Sequence, residues 1–131
     1  MESIHRFIPL AGRILLSFIF VMSGLGKIGG FAGTSAYIAS KGIPLPDVVT
    51  VGTILVEVVG GMMVIVGWKA RWGAAALCMF TALAAILFHN FWAAAPDQAQ
   101  NQMINFLKNI SIMGGLLYVV AFGSGSISLK K

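Results

Sequence analysis

The chain has 131 residues, of which 58% are hydrophobic and only 10% are charged. Soluble domains carry about 25% charged residues, so this composition excludes an ordinary soluble domain and indicates a chain whose solvent is lipid. The formal net charge is +5. Because the basic residues flank apolar runs, the charge indicates membrane topology and contact with anionic lipid, and it gives no support to nucleic-acid binding.

Four apolar runs are long enough to cross a bilayer, which takes about 20 residues. Helix is the only state that satisfies their backbone in lipid, because the alternating pattern of a membrane β-barrel is absent. We therefore predict an all-α fold, a single membrane domain built as a four-helix transmembrane bundle. The first run faintly resembles a signal peptide, but no clean cleavage motif follows and we interpret it as a retained span. The predicted spans are residues 7–28, 48–68, 72–92 and 104–122.

The connections between the spans differ in length. The first is long and contains the helix-breaking sequence Gly42-Ile43-Pro44-Leu45-Pro46. Before it, Thr34 to Lys41 is interpreted as a short interfacial helix. The second connection, 69–71, is a tight turn, and the third is rich in amides. Residues 123–131 begin with Gly-Ser-Gly-Ser and are predicted to be a flexible C-terminal tail.

Orientation is predicted from the basic residues, which are enriched on the cytoplasmic side of membrane proteins. Six lie on the side of the termini and three on the other side, which favours both termini in the cytoplasm and the two longer loops outside. The predicted location is the bacterial inner membrane. The two groups are Arg6, Arg13, Lys69, Arg71, Lys130 and Lys131 against Lys27, Lys41 and Lys108.

Glu57 lies near the centre of the second predicted span, where a carboxylate is costly unless it is protonated or paired. Arg13, inside the first span, is the candidate partner, because a long arginine can cover part of the difference in depth. One hypothesis is therefore a buried ion pair of Arg13 and Glu57 that fixes helix register. Two alternatives are a polar site or proton relay based on Glu57, and an Arg13 that reaches the cytoplasmic interface by itself.

A second group of polar residues gathers where three spans end on the outer side. It could form a cationic, hydrogen-bonding pocket for a quinone carbonyl, an anionic headgroup or an acidic group of a partner. The alternative is interfacial anchoring by ordinary polar residues. Together with Glu57, the candidate binding residues are Lys27, His89, Asn90, Asn105, Lys108 and Asn109.

Other motifs are explained by packing. The single cysteine, Cys78, lies in an apolar run and is interpreted as packing. His5 and His89 fall at opposite ends of the bundle, so haem ligation by both is disfavoured, and no Cys/His set for a metal exists. The segment Gly24-Leu25-Gly26-Lys27-Ile28-Gly29 matches a dinucleotide fingerprint, but it follows a membrane span, so we assign its glycines to helix packing.

An ordered set of short motifs runs along most of the chain, about residues 8–122. The motifs are Arg13-x4-Phe18, Ser23-Gly24-x2-Lys27, Lys41-Gly42-Ile43-Pro44, Glu57 followed by Gly60-Gly61 and Gly67, Arg71 after a short turn, Phe88-His89-x-Phe91-Trp92, and Lys108-Asn109. This ordered set resembles the DoxX family.

The resemblance implies a four-span bundle in the bacterial cytoplasmic membrane and an association with quinone-linked oxidation of reduced sulfur compounds or with oxidoreductase complexes. It carries over the positions Arg13, Lys27, Glu57, His89 and Lys108 without fixing their roles. We therefore hypothesise a redox-associated membrane subunit that binds quinone, with an oxidoreductase subunit as a partner. The alternatives are a non-enzymatic scaffold or lipid-binding protein, and a small-solute transporter that acts as a homodimer.

Overall fold

The computed structural model describes residues 2–129, which form helices and turns and contain no strand. Four helical segments are long and apolar enough to cross a membrane, so the predicted all-α bundle of four spans is confirmed. The elements are α1 (Glu2–Gly29), α2 (Phe31–Ser40), α3 (Pro46–Leu55), a π-helical turn (Val56–Gly60), α4 (Gly61–Val66), α5 (Ala70–Phe88), a 3₁₀ turn (Phe91–Ala93) and α6 (Pro96–Phe122).

The second span is made of three of these elements. α3, the π-helical turn and α4 run continuously from Pro46 to Val66. A π-helical turn accommodates one extra residue in a helix and often occurs at functional sites. Here the turn contains Glu57, which is therefore held in a helical segment that departs from α geometry.

The bundle has a thin core and an apolar outer surface. Val64, Leu77 and Leu116 are completely buried in the centre, whereas Leu15 and Trp72 are more than 70% exposed. In water such a surface would be unfavourable, but lipid tails solvate it without cost. The distribution of apolar side chains therefore agrees with the membrane location that the composition predicts.

Close helix contacts surround the π-helical turn. A Cβ added at Gly24 of α1 would lie 2.6 Å from Cγ2 of Val58, and one added at Gly73 of α5 would lie 2.9 Å from Cβ of Met63 and 3.0 Å from the carbonyl oxygen of Gly60. The contacts with Val58 and Met63 are shorter than side chains tolerate. Glycine at these positions lets α1 and α5 approach the turn, which fixes the surroundings of Glu57.

Two helix ends differ from the sequence-based boundaries. The third span was predicted over residues 72–92 and the apolar helical segment covers Ala70–Ala93, but within it α5 ends at Phe88 and His89 has a non-helical backbone. The fourth was predicted to begin at residue 104, but α6 begins at Pro96. Proline at the first helical position favours a helix start there, and the amide-rich residues that follow form helix that extends beyond the most apolar part of the span.

The C-terminal segment, predicted to be flexible, packs against the bundle over residues 123–129. Arg13 donates hydrogen bonds to the carbonyl oxygens of Ser124 at 2.6 Å and Ile127 at 2.7 Å. The backbone N–H of Leu129 donates to the carbonyl oxygen of Val66 at 3.0 Å. The sequence contains no signal for these contacts because the acceptors are backbone atoms, which a Gly-Ser composition does not distinguish from a linker.

Candidate functional site

The centre of the candidate site is an ion pair between α1 and the second span. Nζ of Lys27 donates a hydrogen bond to Oε1 of Glu57 and another to Oγ of Ser23 at 3.2 Å. The side chain of Glu57 is 4% exposed and that of Lys27 is 23% exposed. Within residues 4–129, whose side chains the structure describes, this is the one salt bridge. Because each group compensates the charge of the other, the pair is tolerated within the apolar bundle.

The direction of the two helices explains why these side chains meet. α1 and the second span are antiparallel, since Gly24 lies beside Glu57 and Val58, while Arg13 lies beside Gly67. Side chains of an α-helix lean toward its N-terminus. Lys27 therefore leans from the end of α1 back toward the middle of the bundle. Glu57 leans in the opposite direction along the bundle and meets it.

The hypothesised pair of Arg13 and Glu57 is not formed, which corrects that interpretation. Arg13 leans toward the N-terminus of α1 and therefore away from Glu57. Its guanidinium donates to backbone carbonyls of the C-terminal segment and, at 3.2 Å, to the carbonyl of Ile65. Arg13 is only 3% exposed, so it is a buried structural contact rather than a side chain that reaches the interface.

The ion pair opens into a cavity of about 630 Å³ inside one half of the bundle. α1, the second span, α5 and α6 form its walls, and α2 contributes a further side. Four aromatic rings and several hydroxyl groups line it together with the ion pair. The aromatic residues are Phe20, Tyr37, Phe80 and Phe88, and the hydroxyl residues are Ser23, Thr34, Thr53 and Thr81, beside Tyr37 itself.

Aromatic side chains contact the ammonium group of Lys27 and one another along the cavity wall. Nζ of Lys27 lies 5.7 Å from the centre of the Phe80 ring, within the range of a cation–π interaction. Tyr37 of α2 stacks on Phe88 of α5, with ring centres 5.4 Å apart. This stack connects α2 to α5.

The structure brings together some of the predicted site residues and separates others. Lys27, Glu57, His89 and Asn109 line the cavity. Asn90 and Asn105 are half-buried, Lys108 is exposed, and none of the three is among the lining residues. The predicted outer cluster is therefore divided, because only one face of each helix end is turned toward the cavity.

Contacts that the sequence analysis did not predict complete the site. Nδ1 of His89 lies 2.9 Å from Oε1 of Gln102, and this hydrogen bond connects the end of α5 to the first part of α6. Thr53 precedes Glu57 by four residues and Ser23 precedes Lys27 by four. This spacing places each pair on one helix face. Helical spacing from the charged residues could therefore have identified Thr53 and Ser23.

The arrangement can bind an uncharged polar group in an aromatic environment. Lys27 has three N–H donors, and the two partners above use two of them. The remaining donor, the second oxygen of Glu57 and the nearby hydroxyl groups are available to a ligand. Among the side chains of residues 4–129, no group of three His, Cys, Asp or Glu could hold a metal ion.

Fold and site together define a multi-pass helical membrane protein with an ion-paired polar cavity inside the bundle. The family model DoxX matches residues 8–90. The chain therefore belongs to the DoxX family.

Relatives with similarity over nearly the whole chain support this assignment. The chain is 34% identical to the inner membrane protein YphA of Escherichia coli over 122 residues, which cover 93% of the chain and 87% of that protein. It is 37% identical to the E. coli inner membrane protein YqjF over 125 residues, 93% of the chain and 88% of that protein. We conclude that the chain is a multi-pass protein of a bacterial inner membrane.

A eukaryotic relative is more distant and much longer. The Surfeit locus protein 4 homolog of Schizosaccharomyces pombe is 29% identical over 130 residues, which cover 97% of this chain but 38% of that protein. No solved structure matches the chain.

Proposed function

We propose that the protein binds a quinone in the cavity above the Lys27–Glu57 ion pair and acts as a membrane subunit or accessory protein of a redox system. The observation that carries the proposal is a charge-compensated pair, a half-buried donor and a buried acceptor, that opens into a cavity of about 630 Å³ with aromatic walls. A planar ring with carbonyl oxygens suits such a site, since aromatic walls accommodate the ring and the ammonium group donates to an oxygen.

Each residue has a defined part in this proposal. The free N–H of Lys27 donates to a ligand oxygen, and its charge favours electron density there. Glu57 holds the ammonium in position and can give or take a proton beside the same oxygen. A bound quinone would supply the two-electron chemistry, since the chain has no electron carrier of its own. A partner oxidoreductase would be the source or acceptor of the electrons.

The charge balance at the floor of the cavity supports a quinone over a phospholipid headgroup as the ligand. Because Glu57 compensates Lys27, the floor of the cavity has no net charge and does not select a phosphate. A neutral ring that accepts hydrogen bonds matches this floor better. Non-enzymatic lipid binding is the outcome to expect if the cavity holds phospholipid instead.

Titration of a short-chain benzoquinone into protein in lipid nanodiscs tests the proposal. Lys27→Met should weaken binding roughly 10- to 100-fold, because a hydrogen bond to a charged group contributes about 1.5–3 kcal/mol. Lys108→Met is the matched control, since Lys108 is exposed and outside the cavity. Equal affinity of the wild type and both variants would overturn the proposal.

Glu57→Gln extends the test, with Asp97→Asn in the exposed first turn of α6 as its control. If a single variant does not assemble, the double variant Lys27→Met with Glu57→Gln replaces it, because neither member of the pair is then left without its partner. The double variant should assemble and should not bind the quinone.

A further inference from the structure

A second hollow lies beside the first, between the second span and α5. It is a groove of about 640 Å³ on the surface of the bundle, and its walls are apolar apart from Thr53. Small residues make the groove, among them Gly52, Ala75 and Ala76. A Cβ added at Gly52 would meet no atom within 4 Å. In a membrane this surface faces the lipid.

The groove and the cavity share two of their lining residues. Thr53 and Phe80 line both hollows. Both belong to the surroundings of the ion pair, because Thr53 is one turn before Glu57 and the Phe80 ring lies 5.7 Å from Nζ of Lys27. Two side chains therefore separate the apolar groove from the polar floor of the cavity.

We propose that the groove holds the hydrocarbon chain of the same ligand whose ring lies in the cavity, with the chain passing between Thr53 and Phe80. This inference rests on the proposed function and specifies its substrate class: a membrane-resident quinone with a long prenyl-type chain, rather than a small soluble quinone. The two lining residues that the hollows share favour this occupant, because a polar cavity and an apolar groove on either side of Thr53 and Phe80 match the polar and apolar ends of one amphiphile.

The groove cannot select a long-chain ligand through the hydrophobic effect, as a site in a soluble protein would. A hydrocarbon chain that leaves the bilayer for the groove exchanges one apolar environment for another, so it gains no hydrophobic free energy. The groove acts through shape: its small side chains leave room for the chain, whereas a large side chain there would exclude it. Filling the groove should therefore affect long-chain ligands alone.

Gly52→Leu fills the groove, and Gly114→Leu is the matched control. Both glycines are exposed, lie in membrane-spanning helices, and have no atom within 4 Å of an added Cβ. Binding is measured in nanodiscs of one lipid composition, for a long-chain isoprenoid quinone and for its short-chain analogue, with concentrations expressed per lipid. Gly52→Leu should weaken binding of the long-chain ligand roughly ten-fold or more, as expected for overpacking, and should leave the short-chain analogue unchanged. Gly114→Leu should change neither.

The outcomes separate the two proposals. If Gly52→Leu binds the long-chain quinone as the wild type does, the groove proposal is overturned while the cavity proposal remains. If the wild type binds neither quinone, the cavity proposal itself fails.

A second copy of the chain or a structural phospholipid could occupy the groove instead, and each would give a different result in the same samples. Conversion of a dimer to a monomer by Gly52→Leu would show that the groove is a contact between copies of the chain. A phospholipid that is retained by the wild type and lost in Gly52→Leu, with quinone binding unchanged, would assign the groove to a structural lipid. Either result would overturn the groove proposal.

Discussion

Lys27 and Glu57, thirty residues apart in the chain, form an ion pair inside the membrane-embedded bundle. They meet because α1 and the second span are antiparallel and each side chain leans toward the N-terminus of its own helix. The pair therefore depends on the packing of two spans and not on a local motif. It also gives the cavity a floor with both a donor and an acceptor.

Removing one member of the pair should destabilise the bundle more than removing both. Lys27→Met or Glu57→Gln alone should cost about 3–5 kcal/mol when the remaining charge stays buried. The double variant should recover most of this loss. Thermal unfolding of the four proteins in the same detergent gives the double-mutant cycle, and additive single effects would contradict a direct pair.

Gly24 should be intolerant of a side chain because of its contact with the π-helical turn. A Cβ there would lie 2.6 Å from Cγ2 of Val58, whereas one at Gly26 would meet no atom within 4 Å. Gly24→Ala should lower stability by about 1–3 kcal/mol through overpacking, and it should weaken quinone binding as Glu57 shifts. Gly26→Ala should be neutral or slightly stabilising in the same assays, since alanine favours helix.

Arg13→Met should release the C-terminal segment from the bundle. The expected readout is the rate at which a thiol reagent modifies Ser124→Cys in a Cys78→Ala background. Ser124 is 4% exposed, so its thiol should react slowly while Arg13 is present and roughly ten-fold or more faster without it. Arg6→Met, a change at an exposed position of the same helix, is the control and should leave the rate unchanged. An unchanged rate in Arg13→Met would show that other contacts hold the segment.

The orientation predicted from the basic residues is directly testable. Both termini should lie in the cytoplasm. A fluorescent protein fused to the C-terminus should therefore be fluorescent, and a reporter enzyme that is active only after export should be inactive when it is fused there. A cysteine at Ala94, in the connection between α5 and α6, should react with an impermeant reagent added outside the cells. Reaction only after permeabilisation would reverse the topology.

Much of the fold could be predicted because the bilayer imposes strong constraints. Apolar runs of about 20 residues must be helical in lipid, so the number and order of the spans could be predicted from the apolar runs in the sequence. The short helix predicted between the first two spans corresponds to α2, whose start at Phe31 is three residues earlier than predicted. Glu57 was identified as a candidate because an ionisable residue at the middle of a span requires a partner.

The partner of Glu57 could not be predicted from depth alone. Arg13 and Lys27 both lie on α1. Which of them pairs with Glu57 depends on the direction in which each side chain leans and on which face of α1 packs, through its glycines, against the second span. Lys27 was assigned to the outer boundary from its position at the helix end, although its side chain leads back into the bundle. The π-helical turn and the backbone acceptors of Arg13 had no sequence signal.

Mass spectrometry of the organic extract from gently purified protein tests the quinone proposal most directly. The account predicts about one quinone per chain in the wild type and in Lys108→Met, and little or none in the assembled double variant Lys27→Met with Glu57→Gln. An extract of the wild type that contains bulk phospholipid and no quinone would contradict the account.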